Sequence, residues 1–172
     1  MKLETPCLIL RPYREGDLVA LHGIFSDAET MRFSQKPCTL EETRSLLALF
    51  REKEIAYGVE RKDTGELIGH LLFSQLPQEE AGIYEMGWFF HRAHWRRGYA
   101  LESCKALMAY GFQTLHLHKI VAETIDPTAS GALAQKLGMV LEGTFHAQAK
   151  APDGTWADVY WYGICNPQEE KI

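Results

Sequence analysis

The stretch of this chain richest in chemical signals is Glu85-Met-Gly-Trp-Phe-Phe-His-Arg-Ala-His-Trp-Arg-Arg-Gly-Tyr-Ala-Leu-Glu102. An apolar run with strand character leads into a basic turn, and the turn, with Gly98 and the small Ala100, opens onto a segment of helical period. The start of a helix carries unpaired amides and a partial positive charge, so a pyrophosphate can sit there if small residues let it approach. Arg96 and Arg97 place further positive charge at that point. A glycine before a helix also serves simple chain reversal, and the local residues leave both readings open.

The elements that must position this segment are legible on either side of it. Residues 7–11 form a short apolar run closed by Pro12, which predicts a first strand, and Leu18, Leu21, Ile24 and Phe25 recur at helical spacing. Thr39-Leu-Glu-Glu42 is a capping box that opens a second helix with Leu46, Leu47 and Phe50 as its buried stripe. Residues 55–60 and 67–73 flank the turn Lys62-Asp-Thr-Gly-Glu66 and predict a hairpin, followed by a strand over 83–90. A helix between Gly98 and Leu115 and a strand over 120–125 complete a strand, helix, strand unit. A short helix from about Ser130 to Leu137, ended by Gly138, precedes two strands around Pro152-Asp-Gly-Thr155.

At 172 residues, with 46% hydrophobic and 24% charged residues and no low-complexity run, residues 1–172 read as one domain. A net charge of -5 gives no footprint for binding phosphate backbones, so no nucleic-acid partner is expected. No apolar run reaches the length of a signal peptide or a membrane span, and Cys7, Cys38, Cys104 and Cys165 form no C-x-x-C pair. A cytoplasmic protein with no membrane partner is expected. His91-x-x-His94 and His116-x-His118 lack matching ligands at metal spacing, so no metal is expected. Cys104 falls on a helix stripe and reads as packing.

The chain resembles the GCN5-related N-acetyltransferases (GNAT), in the branch of the bacterial ribosomal-protein N-terminal (Rim-type) acetyltransferases. The similarity is collinear almost end to end. Residues 5–12 resemble the opening strand of that branch and Asp63-Thr-Gly-Glu-Leu-Ile-Gly69 its central hairpin. Trp95-Arg-Arg-Gly-Tyr-Ala100 with Glu102 resembles the coenzyme A pyrophosphate loop, and residues 136–143 and 153–158 the closing segments.

The resemblance implies a mixed α/β fold: a strongly bent sheet of about seven strands, helices on both faces, and a splay between central parallel strands. It implies acetyl-CoA as cosubstrate, with the pantothenate arm along Trp88, Phe89, Phe90 and His91 and the phosphates at Trp95, Arg96, Arg97, Gly98, Tyr99 and Ala100. The amine acceptor would be a protein N-terminus or a small amine. Attack on the thioester needs loss of a proton from the amine, donors for the oxyanion and a proton for the thiolate. The resemblance puts a base at Glu85, which reads equally as a salt-bridged strand carboxylate, and oxyanion donors at the amides near Phe89 and Phe90.

Two departures bear on the proton donor. The branch's Asn after Asp126-Pro127 is absent, and Ala134 stands where many members carry a Tyr. Ser130 is the remaining hydroxyl, and is equally the expected N-cap of its helix. These departures keep a second function in view, a non-catalytic acyl-CoA-binding or sensing module. The acceptor would be selected by loops at residues 26–38 and 76–83. Branch members are commonly dimers, and the alternating Trp156, Tyr160, Trp161 and Tyr162 offer apolar area for a homodimer.

Overall fold

The structure is a computed structural model that describes residues 1–76 and 82–168. The apolar run after Cys7 forms strand β2 (Leu8–Arg11), and a short β1 (Leu3–Glu4) lies antiparallel against it. Arg11, at the end of β2, is buried and grips both carboxylate oxygens of Asp17 at 2.8 and 2.9 Å, while its Nε reaches Glu60 at 2.7 Å. That network fixes the entry to helix α1 (Leu18–Phe25). Helix α2 (Ala28–Met31) starts at Asp27, whose side chain accepts from the Thr30 amide. The Thr39–Glu42 capping box forms as the sequence predicts and opens α3 (Leu40–Lys53), which ends on a left-handed Glu54.

There follow β3 (Ala56–Arg61), β4 (Leu67–Gln75), β5 (Ile83–Phe90), helix α4 (Tyr99–Gln113) and β6 (Lys119–Thr124). Helix α5 (Ala129–Lys136), β7 (Val140–Lys150) and β8 (Trp156–Cys165) close the chain. Among the described residues the strands make one mixed sheet of eight in the order β1-β2-β3-β4-β5-β6-β8-β7. The strand beyond the expected seven or so is β1, two residues long and without a pattern of its own to read.

Helices cover both faces. Cys104, Leu107, Met108 and Phe112 of α4 and Ala134 of α5 pack on one face against Leu10, Leu71, Met86 and Phe90. Leu21, Ile24 and Phe25 of α1 and Leu47 and Phe50 of α3 form a second core on the other. His70 is buried in that second core, its Nδ1 2.8 Å from the Tyr13 hydroxyl and its ring 4.9 Å from that of Phe50. Desolvation holds its pKa down at about 3, so it is neutral. Gly69 is required where β4 meets β5, because a side chain there would collide with the Phe90 ring lying across it.

Candidate active site

Strands β5 and β6 pair in parallel over three rungs, Ile83 with Lys119, Tyr84 with Ile120 and Glu85 with Val121. Beyond Glu85, β5 pairs with β4 alone, and beyond Val121, β6 pairs with β8 alone. The sheet therefore splits into a wedge with two facing backbone edges. The His91 amide donates to Ile68 O on the β4 side. By strand alternation Phe89 also turns its amide and carbonyl to β4, whereas Trp88 and Phe90 turn theirs into the wedge. Of the two amides expected near the oxyanion, Phe90 is thus the one available, and Trp88 joins it.

The wedge leads from β5 into the basic loop. Trp95 donates its indole N–H to Phe90 O at 2.7 Å and folds the loop back over the strand end. His94, nearly fully buried, lies 3.2 Å from Glu66 through Nε2 and ties the loop to the β3–β4 hairpin. Arg96 (φ 60°) and Gly98 (φ 83°) are both left-handed, a conformation that backbone anion-binding nests employ. Gly98 is the N-cap of α4 and supplies no side-chain cap, so the first-turn amides at Tyr99 and Ala100 stay open. A side chain at Gly98 would meet nothing within 4 Å, which leaves a cradle beside those amides. Among the described residues Arg96 and Arg97 have no ion-pair partner, so both charges are available. Glu102 is engaged elsewhere, accepting from the Thr5 hydroxyl at 2.6 Å and the Cys7 amide at 2.8 Å.

Glu85 stands at the apex of the wedge on the face opposite α4 and α5. Burial raises its pKa above the usual carboxylate range, and Glu123, two residues past its rung partner on β6, raises it further. No ion pair holds Glu85 among the described residues, so the salt-bridged reading of this carboxylate does not apply there. On the same side lies a cleft of about 610 Å³ lined by Glu123, Phe145, Gln148, Ala149, Val159 and Trp161. A second concavity, about 550 Å³, runs from Gln35 to Leu46 and includes part of the first predicted acceptor loop. Most of the second predicted loop, over 76–83, lies outside the described residues.

Ser130 is not the N-cap of its helix. Asp126 takes that work from outside: its carboxylate accepts from the amides of Thr128, Ala129 and Ser130 and from the Thr128 hydroxyl. Burial pushes the Asp126 pKa up, but these donors outweigh it and hold the group below the ordinary range. The helix consequently starts at Ala129, and the Ser130 hydroxyl is left out of the capping. The sequence signal for this was the Asp before Pro127. The rings of His91 and His94 are 6.0 Å apart, and among the described residues no group of three His, Cys, Asp or Glu side chains converges as a metal site.

A sequence model described as an acetyltransferase (GNAT) domain matches residues 8–140. The chain belongs to the GNAT acetyltransferase family. It is 36% identical to the uncharacterized N-acetyltransferase YoaA of Bacillus subtilis, over 97% of this chain and 98% of that protein. A GNAT-family acetyltransferase from Bacillus anthracis has the same fold with a TM-score of 0.88 at 28% identity, over 96% of this chain and 99% of the other. The fold is shared with RimL, a ribosomal L7/L12 alpha-N-protein acetyltransferase solved with coenzyme A (TM-score 0.83, 21% identity, 96% and 98% covered). It is shared too with the Vibrio cholerae spermidine N-acetyltransferase solved with coenzyme A and spermine (TM-score 0.81, 22% identity, 92% and 95% covered). As a GNAT protein the chain is an N-acetyltransferase, and the wedge, the left-handed loop and the open α4 terminus have the shape and charge that an extended, amide-bearing, diphosphate cosubstrate requires.

Proposed function

We propose that this chain, as one domain, transfers the acetyl group of acetyl-CoA to a primary amine by direct attack in a ternary complex. The observation that carries the reading is the three-rung splay, whose open β5 edge leads through the turn at Arg92–His94 to the left-handed loop at Arg96–Gly98. Trp88, Phe89, Phe90 and His91 would line the pantothenate arm and the residues from Trp95 to Ala100 the phosphates. The wedge-facing amides of Trp88 and Phe90 are the donors for charge that develops on the thioester oxygen.

Glu85 takes the proton from the attacking amine. Its raised pKa suits it, because a base works best when its pKa is near the operating pH. Ser130, freed of capping, helps the departing sulfur acquire a proton. The acceptor class follows the fold's neighbours, one acting on a ribosomal protein's N-terminus and another on spermidine, so a protein N-terminus or a small amine is the reading adopted.

Purified protein incubated with acetyl-CoA and a panel of N-terminal peptides and small amines tests this through free-thiol release. Thermal stabilisation by acetyl-CoA without thiol release from any amine would instead support a binding or sensing module, the reading that the buried methyl of Ala134 favours. We also place the protein in the cytoplasm, given four free thiols and, among the described residues, no helix long and apolar enough to cross a membrane. Homodimer formation through the β7–β8 hairpin is part of the proposal, since Val140, Leu141, Phe145 and Trp156 are exposed there. Sedimentation showing only monomer at micromolar concentration would remove it.

A further inference from the structure

Glu123 makes neither a hydrogen bond nor an ion pair with any described residue. Lys119, four residues back on the same strand face, is engaged by Glu142 at 2.6 Å. A free carboxylate near solvent is ordinary in itself; its setting singles this one out. Among the described residues Glu123 is the one charged side chain lining the cleft of about 610 Å³, where it meets Phe145, Val159, Trp161 and the side-chain amide of Gln148.

The sheet builds this cleft in two steps. Glu123 and Trp161 are cross-strand partners on β6 and β8, and alternation puts both on the face that carries Glu85, away from α4 and α5. On β7 the register slips between Phe145 and Ala149, where Ala147 is left-handed (φ 47°) and its amide donates to Asp158 at 2.8 Å. A bulge of that kind re-aims side chains, and here Phe145, Gln148 and Ala149 all line the same hollow. A carboxylate set among aromatic rings suits an ammonium group, since the acid supplies opposite charge and ring faces attract a cation.

Glu85 is close by. It shares a rung with Val121, so strand rise and spacing put its Cα about 8 Å from that of Glu123. The Glu123 charge adds to burial in raising the Glu85 pKa, as that proximity requires. Two carboxylates therefore face one side of the sheet, one at the apex of the wedge and one in the aromatic cleft beside it.

We infer that the acceptor is an amine with a second positive charge, its reacting nitrogen at Glu85 and its other ammonium held by Glu123 beside Phe145 and Trp161; this deepens, and rests on, the transfer reaction proposed above. The division follows from charge. Glu85 has to take a proton from the attacking nitrogen, whereas Glu123 has only to hold a cation that stays charged. A protein N-terminus followed by neutral side chains offers one cation and would gain nothing from Glu123. The net charge of -5 also draws dications toward the surface.

The test measures kcat/KM with acetyl-CoA for pentylamine, 5-aminopentan-1-ol, 1,5-diaminopentane and a trialanine amide, in the parent, Glu123→Gln and Phe145→Leu, with thermal melts to check folding. Per reactive nitrogen the parent should prefer the diamine over pentylamine by about 10- to 100-fold, mainly through KM, with the alcohol close to pentylamine. Glu123→Gln should bring that ratio down to about 1, and move the low-pH limb of kcat to lower pH because the charge beside Glu85 is gone. A merely structural side chain would not shift that limb. Phe145→Leu keeps apolar bulk without the ring and should lower the ratio about 2- to 5-fold. Equal parent rates for diamine and pentylamine, a preference for the tripeptide, or a diamine preference that survives both substitutions overturns the assignment and leaves the transfer reaction standing. Thiol release with none of the amines, while acetyl-CoA still stabilises the protein, removes the transfer reaction and this assignment with it.

Discussion

The indole N–H of Trp95 donates to the carbonyl of Phe90 at 2.7 Å, joining the start of the basic loop to the end of the strand that would carry the cosubstrate arm. One bond therefore sets the distance between two parts of the proposed binding surface. Trp95→Phe keeps most of the ring but not the donor. It should weaken acetyl-CoA by about 2- to 10-fold, the equivalent of one hydrogen bond, and calorimetric titration reads it directly. An unchanged Kd would mean that the loop is held by other contacts.

At Gly98 two effects separate. Its φ of 83° makes any side chain strained by roughly 1–2 kcal/mol, and the space beside it is open. Gly98→Ala should lower Tm modestly and retain thermal stabilisation by acetyl-CoA. Gly98→Glu should fold but lose that stabilisation, because its carboxylate opposes phosphate at the loop. Equal stabilisation of the Glu variant and the parent would remove the loop from the binding site.

Glu85 should show opposite effects on rate and stability. Its folded pKa lies above the unfolded one, so between those values the folded state binds more protons, and stability falls as pH rises through that window. Above that window the ionised carboxylate is therefore destabilising. Glu85→Gln should raise Tm above that window while lowering kcat about 10²- to 10⁴-fold and erasing the low-pH limb of the kcat profile. Matching pH profiles in parent and variant would leave the amine's own ionisation in control of the rate.

His70 gives the acid response the opposite sign. Its pKa of about 3 lies below the unfolded value, so in acid the unfolded chain binds the extra proton. Stability should fall steadily as pH drops from about 6.5 toward 3. His70→Gln, which keeps a polar partner for Tyr13, should flatten that slope in pH-resolved thermal melts. An unaltered slope would assign the acid sensitivity to other groups.

What the sequence made legible was local. Thr39 and Glu42, three residues apart, close their box as their types dictate, and Gly98 takes the left-handed position before α4 that its missing side chain allows. The misreading at Ser130 came from a competition: two capping residues lay four positions apart, and Asp126, able to accept from several amides at once, won. Glu123 was out of reach for a different reason. Its importance depends on which strand ends beside which, since it meets Glu85 through the β5–β6 register and Trp161 through the pairing of β6 with β8. Pairings between distant segments leave no period in the chain.

The short parallel junction also has a kinetic meaning. Strands β1 to β5 pair antiparallel, each with the next in sequence, and β6, β8 and β7 form a second antiparallel group. Closing the join between them requires the whole of α4 to cross first, and its reward is three rungs. The two groups should behave as separate foldons, with their docking as the late step of folding and the earliest to reverse. Amide exchange in rising denaturant would then show the β5–β6 rungs opening before either group melts, and a ligand bridging the gap would act as the clasp that holds two half-sheets in one molecule.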